Sequence, residues 1–215
     1  MSTFGDKDSA LETFVADRVA ALQKKYLRDD PQAVAIMARL RRAVATPAGS
    51  RPDIWKPTLG DLPESLTDPR EFRAAERDGA PTAWEQAAHD AITLHAWHQQ
   101  SRPEPMHRRG ASFGAALNTL GRRTEAVDAV RRRFHVLGTA QHRDLRMTSL
   151  RALLSQLRTQ AIPVDYGRLA RDLRRLGDRA TATGVLLQWG RDYHRNEPDT
   201  GTDDLKNTTV KGDSE

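Results

Sequence analysis

The sequence predicts an all-α protein, and three observations carry that reading. Apolar residues recur at helical spacing through most of the chain. Cap signals open those runs: Ser9 with Glu12, Asp30 before Pro31, Thr82 with Glu85, and Asp165. No stretch reads as a convincing strand, and no internal repeat is present. About eight helices are expected, in two lobes divided near residue 100.

In chain order, residues 1–8 read as frayed. A helix follows to about Arg28, with Leu11, Val15, Val19, Leu22 and Tyr26 on its inner face. The next runs from Pro31 to about Val44, with Val34, Met37, Leu40 and Val44 inward. It ends in Arg39, Arg41 and Arg42, where cations suit the helix dipole and could also meet phosphate. Residues 46–81 are proline-rich and break any regular pattern. They read as a loop packed down by Ile54, Trp55, Leu59 and Leu62, with a short helix over 68–77.

A firm helix is expected from the Thr82 cap to about His98. Trp84, Ala87, Ala88, Ala91, Ile92 and His95 share one of its faces. Residues 99–111 form a polar, proline-bearing loop and the best domain boundary, and Ser112 can cap a short helix through Leu120.

Residues 127–158 organise the rest. They read as two helices with a break near 138–141. On the first, Val127, Val130, Phe134 and Leu137 fall in one narrow arc, with Arg131 and Arg133 on its flanks and Arg132 pointing away. On the second, Leu150, Leu153, Leu154 and Leu157 share a face, and Arg151 and Arg158 lie along one border of it. Such helices can pack while holding guanidinium groups at the surface, their stems on apolar neighbours.

Beyond them, 162–165 is an extended entry to a helix from Tyr166 to Leu176, with Leu169, Leu173 and Leu176 inward. Gly177 stops it. A last helix from about Ala180 to His194 uses Val185, Leu186, Trp189 and Tyr193. Residues 196–215 are polar and acidic and are expected to be disordered.

The formal charge of +5 hides a strong asymmetry. Residues 1–100 carry a net −2, residues 101–195 carry +11, and residues 196–215 carry −4. All 19 bases of the middle segment are arginine, which favours bidentate phosphate contacts. Basic charge concentrated on one half of a small protein points to a polyanion. An acidic protein partner and a plain solvated surface are the competing explanations. There is no cysteine, which excludes disulfides and thiolate chemistry. No signal-peptide region or apolar run of membrane-spanning length is present, so a cytoplasmic protein without membrane contact is expected.

No catalytic motif stands out. Gly110 and Gly114 sit in a segment that lacks the lysine and the preceding strand of a P-loop. No strand leads into Ser112, so it is not a nucleophile elbow. His95 and His98 are one helical turn apart but lack further metal ligands, and structural histidines are expected there. His107 and His142 lie in basic loops and could reach phosphate. The aromatics fall mostly on apolar faces, so backbone reading rather than base stacking is expected. Neither a metal nor a cofactor nor enzymatic activity is expected.

Several segments, in order and spacing, resemble the CasB family, the small subunit of the type I-E CRISPR Cascade surveillance complex. They are LRRAVATPAG (40–49), AITLHAWHQQ (91–100), GASFGAALNTL (110–120), RRRFHVLGTA (131–140), the run 149–176, and LLQWGRDYHR (186–195). The resemblance implies a non-catalytic, two-lobed helical subunit, present in two copies along a guide-RNA filament. It implies sequence-independent support of the guide RNA–target DNA hybrid and the displaced strand. It also implies contacts with the backbone and large subunits. The family's basic positions fall here on Arg41, Arg42, Arg132, Arg133, the Arg143 region and Arg151. With the arginines chosen on charge alone, the expected nucleic-acid-binding set is Arg41, Arg42, Arg131, Arg132, Arg133, Arg143, Arg146, Arg151 and Arg158.

Three features depart from the family pattern. The loop 46–81 is longer, Tyr166 and Leu176 stand where tryptophan is common, and residues 196–215 have no match. A helical DNA-binding regulator, with 165–194 as a helix-turn-helix-like pair, is the alternative reading. A pure interaction protein is a third.

Overall fold

A computed structural model describes residues 3–140 and 142–195. Ten α-helices are present among them: α1 (Phe4–Tyr26), α2 (Pro31–Arg42), α3 (Trp55–Leu59), α4 (Ala74–Arg77), α5 (Ala83–His98), α6 (Phe113–Arg123), α7 (Val127–Gly138), α8 (Arg143–Thr159), α9 (Tyr166–Leu176) and α10 (Arg179–His194). The fold is all-α, as expected, with a few more helices than eight. The surplus comes from the loop 46–81, which contains α3, α4 and three 3₁₀ turns. The expected helix over 68–77 is split there into a turn at Pro69–Glu71 and α4.

The caps explain most of the boundaries. Asp30 accepts the Ala33 N–H and Pro31 occupies the first helical position. Thr82 and Glu85 form a reciprocal capping box. Ser112 accepts from Ala115, and Asp165 accepts from Gly167 and Arg168. The first helix departs from expectation. Its capping box is Thr3 with Asp6, and the Ser9 hydroxyl instead donates to the Gly5 carbonyl one turn back. Residues 4–8 are therefore helical. The tail 196–215, read as disordered, lies outside the described residues.

Helix α5 is the axis of the fold. It packs against α1, α2, α3, α8 and α9 and is buried on nearly every side beyond its first turn. Helix α9 lies against α1, α5 and α10, while α6 packs on α7, α8 and α10. Two glycines permit the close crossings. A Cβ on Gly167 would lie 2.4 Å from the Glu12 carbonyl oxygen of α1, and one on Gly114 would lie 2.1 Å from the Trp189 carbonyl oxygen of α10. Residues 99–111 are not a free linker. Gln99, Met106 and His107 are buried, and His107 pairs with Val164 in an isolated bridge.

Three residues expected to face inward do not. Val34 is 42% exposed, Trp55 is 50% exposed and Val127, at the first turn of α7, is 39% exposed. Ile54, Leu59 and Leu62 anchor the loop as expected.

Candidate nucleic-acid interface

Arginine is abundant, so the informative question is which guanidinium groups the chain already uses. Helix α9 consumes its own. Asp8 on α1 accepts from Arg174 at 2.6 and 2.8 Å and from Arg175 at 2.6 Å, and all but Arg175 are buried. Arg171 pairs with Glu12 at 2.6 Å, and Arg168 pairs with Asp192 of α10 at 3.4 Å. These pairs fasten α9 to its neighbours and leave it few donors for a ligand.

The nine candidate arginines divide four ways. The guanidinium groups of Arg41, Arg42, Arg132, Arg133 and Arg146 make no hydrogen bond or ion pair with the described residues. Arg42, Arg132 and Arg133 are exposed, and Arg41 is half-buried. Arg131 pairs with Asp128 one turn back, at 2.6 Å on the surface, an interaction worth little against water.

Arg143 is in a different situation. Its Nε donates to Asp90 at 2.9 Å, Nη1 to the Ala45 carbonyl and Nη2 to the Thr46 carbonyl at 3.0 Å each, and Nη2 also to Asp90. Four of its five N–H donors are thereby engaged within the chain. Arg143 thus ties the start of α8 to α5 and to the segment after α2. Asp90 is buried, and burial raises its pKa despite the opposing Arg143 partner.

Arg151 and Arg158 come together on Trp97, a residue that sequence reasoning assigned to no face. The Arg151 guanidinium lies 4.6 Å from the indole centre and that of Arg158 lies 5.5 Å from it. Trp97 Nε1 donates to Ser155 at 3.0 Å, between the two arginines in sequence. Arg158 also donates to the Trp97 carbonyl at 3.2 Å and to Gln100 at 3.1 Å. The Trp97 ring is half-buried at the end of α5. Both guanidinium groups are positioned before any ligand arrives.

Arg146 does not join them. At 100° per residue it falls about 140° around α8 from Arg151. It lines a separate groove with Ala83, Ala87 and Leu173. Burial lowers its pKa, with Arg143 adding to the shift and Asp90 opposing it.

The buried histidines are structural, whereas His142, which precedes α8, is exposed. Three rings surround Tyr166: His95 at 5.1 Å, His98 at 6.0 Å and His107 at 6.2 Å between centroids. Tyr166 OH meets His98 Nδ1 at 2.8 Å, and the Tyr166 N–H donates to His107 Nδ1 at 3.1 Å. Gln23 Oε1 accepts the His107 N–H at 2.7 Å. His107 is therefore buried rather than poised for phosphate. Burial pushes His95 well below its ordinary value and His98 to about 3, the latter helped by the Arg158 charge. Among the described residues no cluster of three potential metal ligands occurs. No helix of the described residues is long and apolar enough to cross a membrane.

The fold and surface define an all-helical protein in which some arginines are internal clamps, some form surface ion pairs and some face outward without counter-ions. The family model described as CRISPR-associated protein Cse2 (CRISPR_cse2) matches residues 36–194. The chain belongs to this family, the CasB small subunit of type I-E CRISPR. The crystal structure of CasB from Thermobifida fusca is similar, at 35% identity and a TM-score of 0.73, over 86% of this chain and 98% of that one. A Cse2-family protein from Thermus thermophilus shares the fold at 22% identity and a TM-score of 0.58, over 86% and 97% of the two chains. CasB from M. ruber does so at 22% identity and 0.56, over 83% and 93%. The comparison with curated proteins returned no match.

Proposed function

We propose that the chain is a non-catalytic, cytoplasmic subunit that holds nucleic-acid backbone through arginine–phosphate contacts. Its ligands are the guide RNA and target DNA, as hybrid and displaced strand, within a surveillance complex active in antiviral defence. It sits there beside the backbone and large subunits and a second copy of itself.

The observation that carries the reading is the split among the arginines. Four of the outward candidates (Arg41, Arg42, Arg132 and Arg133) lack counter-ions, and Arg151 is held on Trp97 with donors to spare. Guanidinium groups in that state suit phosphate oxygens. Arg151 and Arg158 lie about 10 Å apart along α8, the length of about three nucleotides of one strand. Guide and target pairing supplies sequence selectivity, and exchange of one duplex for another is nearly balanced in energy. A few phosphate contacts are then enough to bias it.

The regulator alternative loses support. The exposed residues of α10 are Arg179, Ala180, Thr183, Gly184, Leu187, Arg191 and His194, and the amide of the half-buried Gln188 already donates to Asp192 at 2.9 Å, which leaves no free Asn or Gln there to read base edges. Binding of the purified protein to single-stranded DNA, RNA and duplex across a salt series tests the reading. Affinity of about 10⁻⁴–10⁻⁶ M near physiological salt, falling steeply as salt rises, is expected. Strong preference for one duplex sequence would favour a regulator. No binding to any polyanion at low salt would favour a pure interaction protein.

A further inference from the structure

The irregular segment 46–81 and the start of α5 enclose a groove of about 520 Å³. Trp55, Phe72, Pro47 and Pro81 supply apolar lining, and Glu76 and Glu85 supply the charge. Trp55 stands half in solvent at 50% exposure, while Ile54 beside it is buried and fixes the segment. Gly49 covers part of the indole. Its φ of +77° is open to glycine without strain, and a Cβ there would touch the ring at 3.4 Å.

The charge of this groove is unlike the rest of the chain. No lysine or arginine lines it, in a sequence with 34 of them. Glu76 and Glu85 each accept one backbone N–H at 2.7 Å, from Arg73 and Thr82, to close a helix cap. Neither forms an ion pair with a described residue. Each carboxylate keeps a second oxygen able to accept hydrogen bonds.

We propose that this groove docks an arginine-bearing segment of a neighbouring protein subunit. A guanidinium can stack on the exposed indole while its N–H groups reach Glu76 or Glu85. Phe72 and the two prolines take the apolar residues beside it. Exposed tryptophan beside uncompensated charge is the composition of an interface anchor. Nucleic acid does not fit, because two carboxylates would face its phosphates with no cation between them. The proposal rests on the chain's place in an assembly and is independent of the phosphate-binding reading.

The test uses the full chain in its assembled complex, with Trp55→p-benzoylphenylalanine as a photocrosslinker. The expected result is a crosslink to a different protein subunit, within a peptide that contains arginine. Glu76→Gln with Glu85→Gln, which preserves both caps because glutamine serves in a capping box, should lower that crosslink about tenfold, the loss of one charge-assisted contact. A crosslink to nucleic acid, to a second copy of this chain, or to a peptide without a basic residue overturns the proposal. So does an absent crosslink, or a yield that the double glutamine variant leaves unchanged. Binding of the isolated glutamine variant to single-stranded DNA is expected to match wild type. If wild type itself binds no nucleic acid, the phosphate reading falls while this one stands.

Discussion

The Arg151 guanidinium is stacked on Trp97, 4.6 Å from the ring centre, and Trp97 is itself tied to Ser155 on the same helix as Arg151. The cation is thus held in place by groups that take no part in phosphate binding. Arg151→Ala should weaken binding about equally across sequences and lower the salt slope by about 1. A titration at several salt concentrations reads both quantities. Some packing loss accompanies the change, since the stem covers apolar surface, so thermal melting is measured alongside.

Arg143 should behave in the opposite way. It leaves Asp90 buried and without its cation when removed. Arg143→Ala is expected to destabilise the fold by about 3 kcal/mol, at the low end for a broken buried pair because Arg143 is partly exposed. Urea unfolding measures this. A stable variant that loses DNA affinity would move Arg143 into the binding surface.

Gly167→Ala should destabilise the packing of α9 on α1. The new methyl would meet the Glu12 carbonyl and the Ala16 side chain at 2.4 and 2.8 Å, inside contact distance. Overpacking of this kind costs about 1–3 kcal/mol, and backbone on the other side leaves little room to relax. A melting temperature equal to wild type would show that the two helices separate at no cost.

Acid should destabilise the protein through its buried histidines. His89, His95, His98 and His107 all have folded pKa values below 6.5, because burial disfavours the imidazolium. The unfolded chain therefore binds more protons below pH 6.5. Stability is full above that value and falls as pH drops toward about 3, the folded pKa of His98. Each such histidine adds up to about 1.4 kcal/mol per pH unit within the window. Asp90 and Asp172 act with the opposite sign, since burial raises their folded pKa above 3.8. Urea midpoints from pH 7.5 to 5 test the claim, and a flat profile would contradict it.

The helices were legible because Asp30, Thr82, Ser112 and Asp165 announce them locally. The exception is instructive: Ser9 with Glu12 has capping spacing, yet the box of Thr3 with Asp6 caps α1 further upstream. Burial was less legible. Val34 lies on the expected stripe, but α2 turns that edge to solvent.

The arginines were the least legible. Their charge is local, while their partners are distant: Arg174 meets Asp8 across 166 residues, and Arg143 meets Asp90 across 53. Periodicity cannot tell a clamp from a free cation. Trp97 escaped notice for the same reason, since its role depends on α8, which starts 46 residues later.

The central claim is that the arginines left unpaired by the fold hold nucleic-acid backbone. The most direct measurement is the salt slope of target-DNA binding by a reconstituted complex carrying Arg41→Ala, Arg42→Ala, Arg133→Ala and Arg151→Ala together. Each variant subunit is first shown to fold and to co-purify. The account predicts normal assembly, much weaker binding, and a slope lower by about 4, one per arginine lost. Normal assembly with wild-type affinity and an unchanged slope would contradict it.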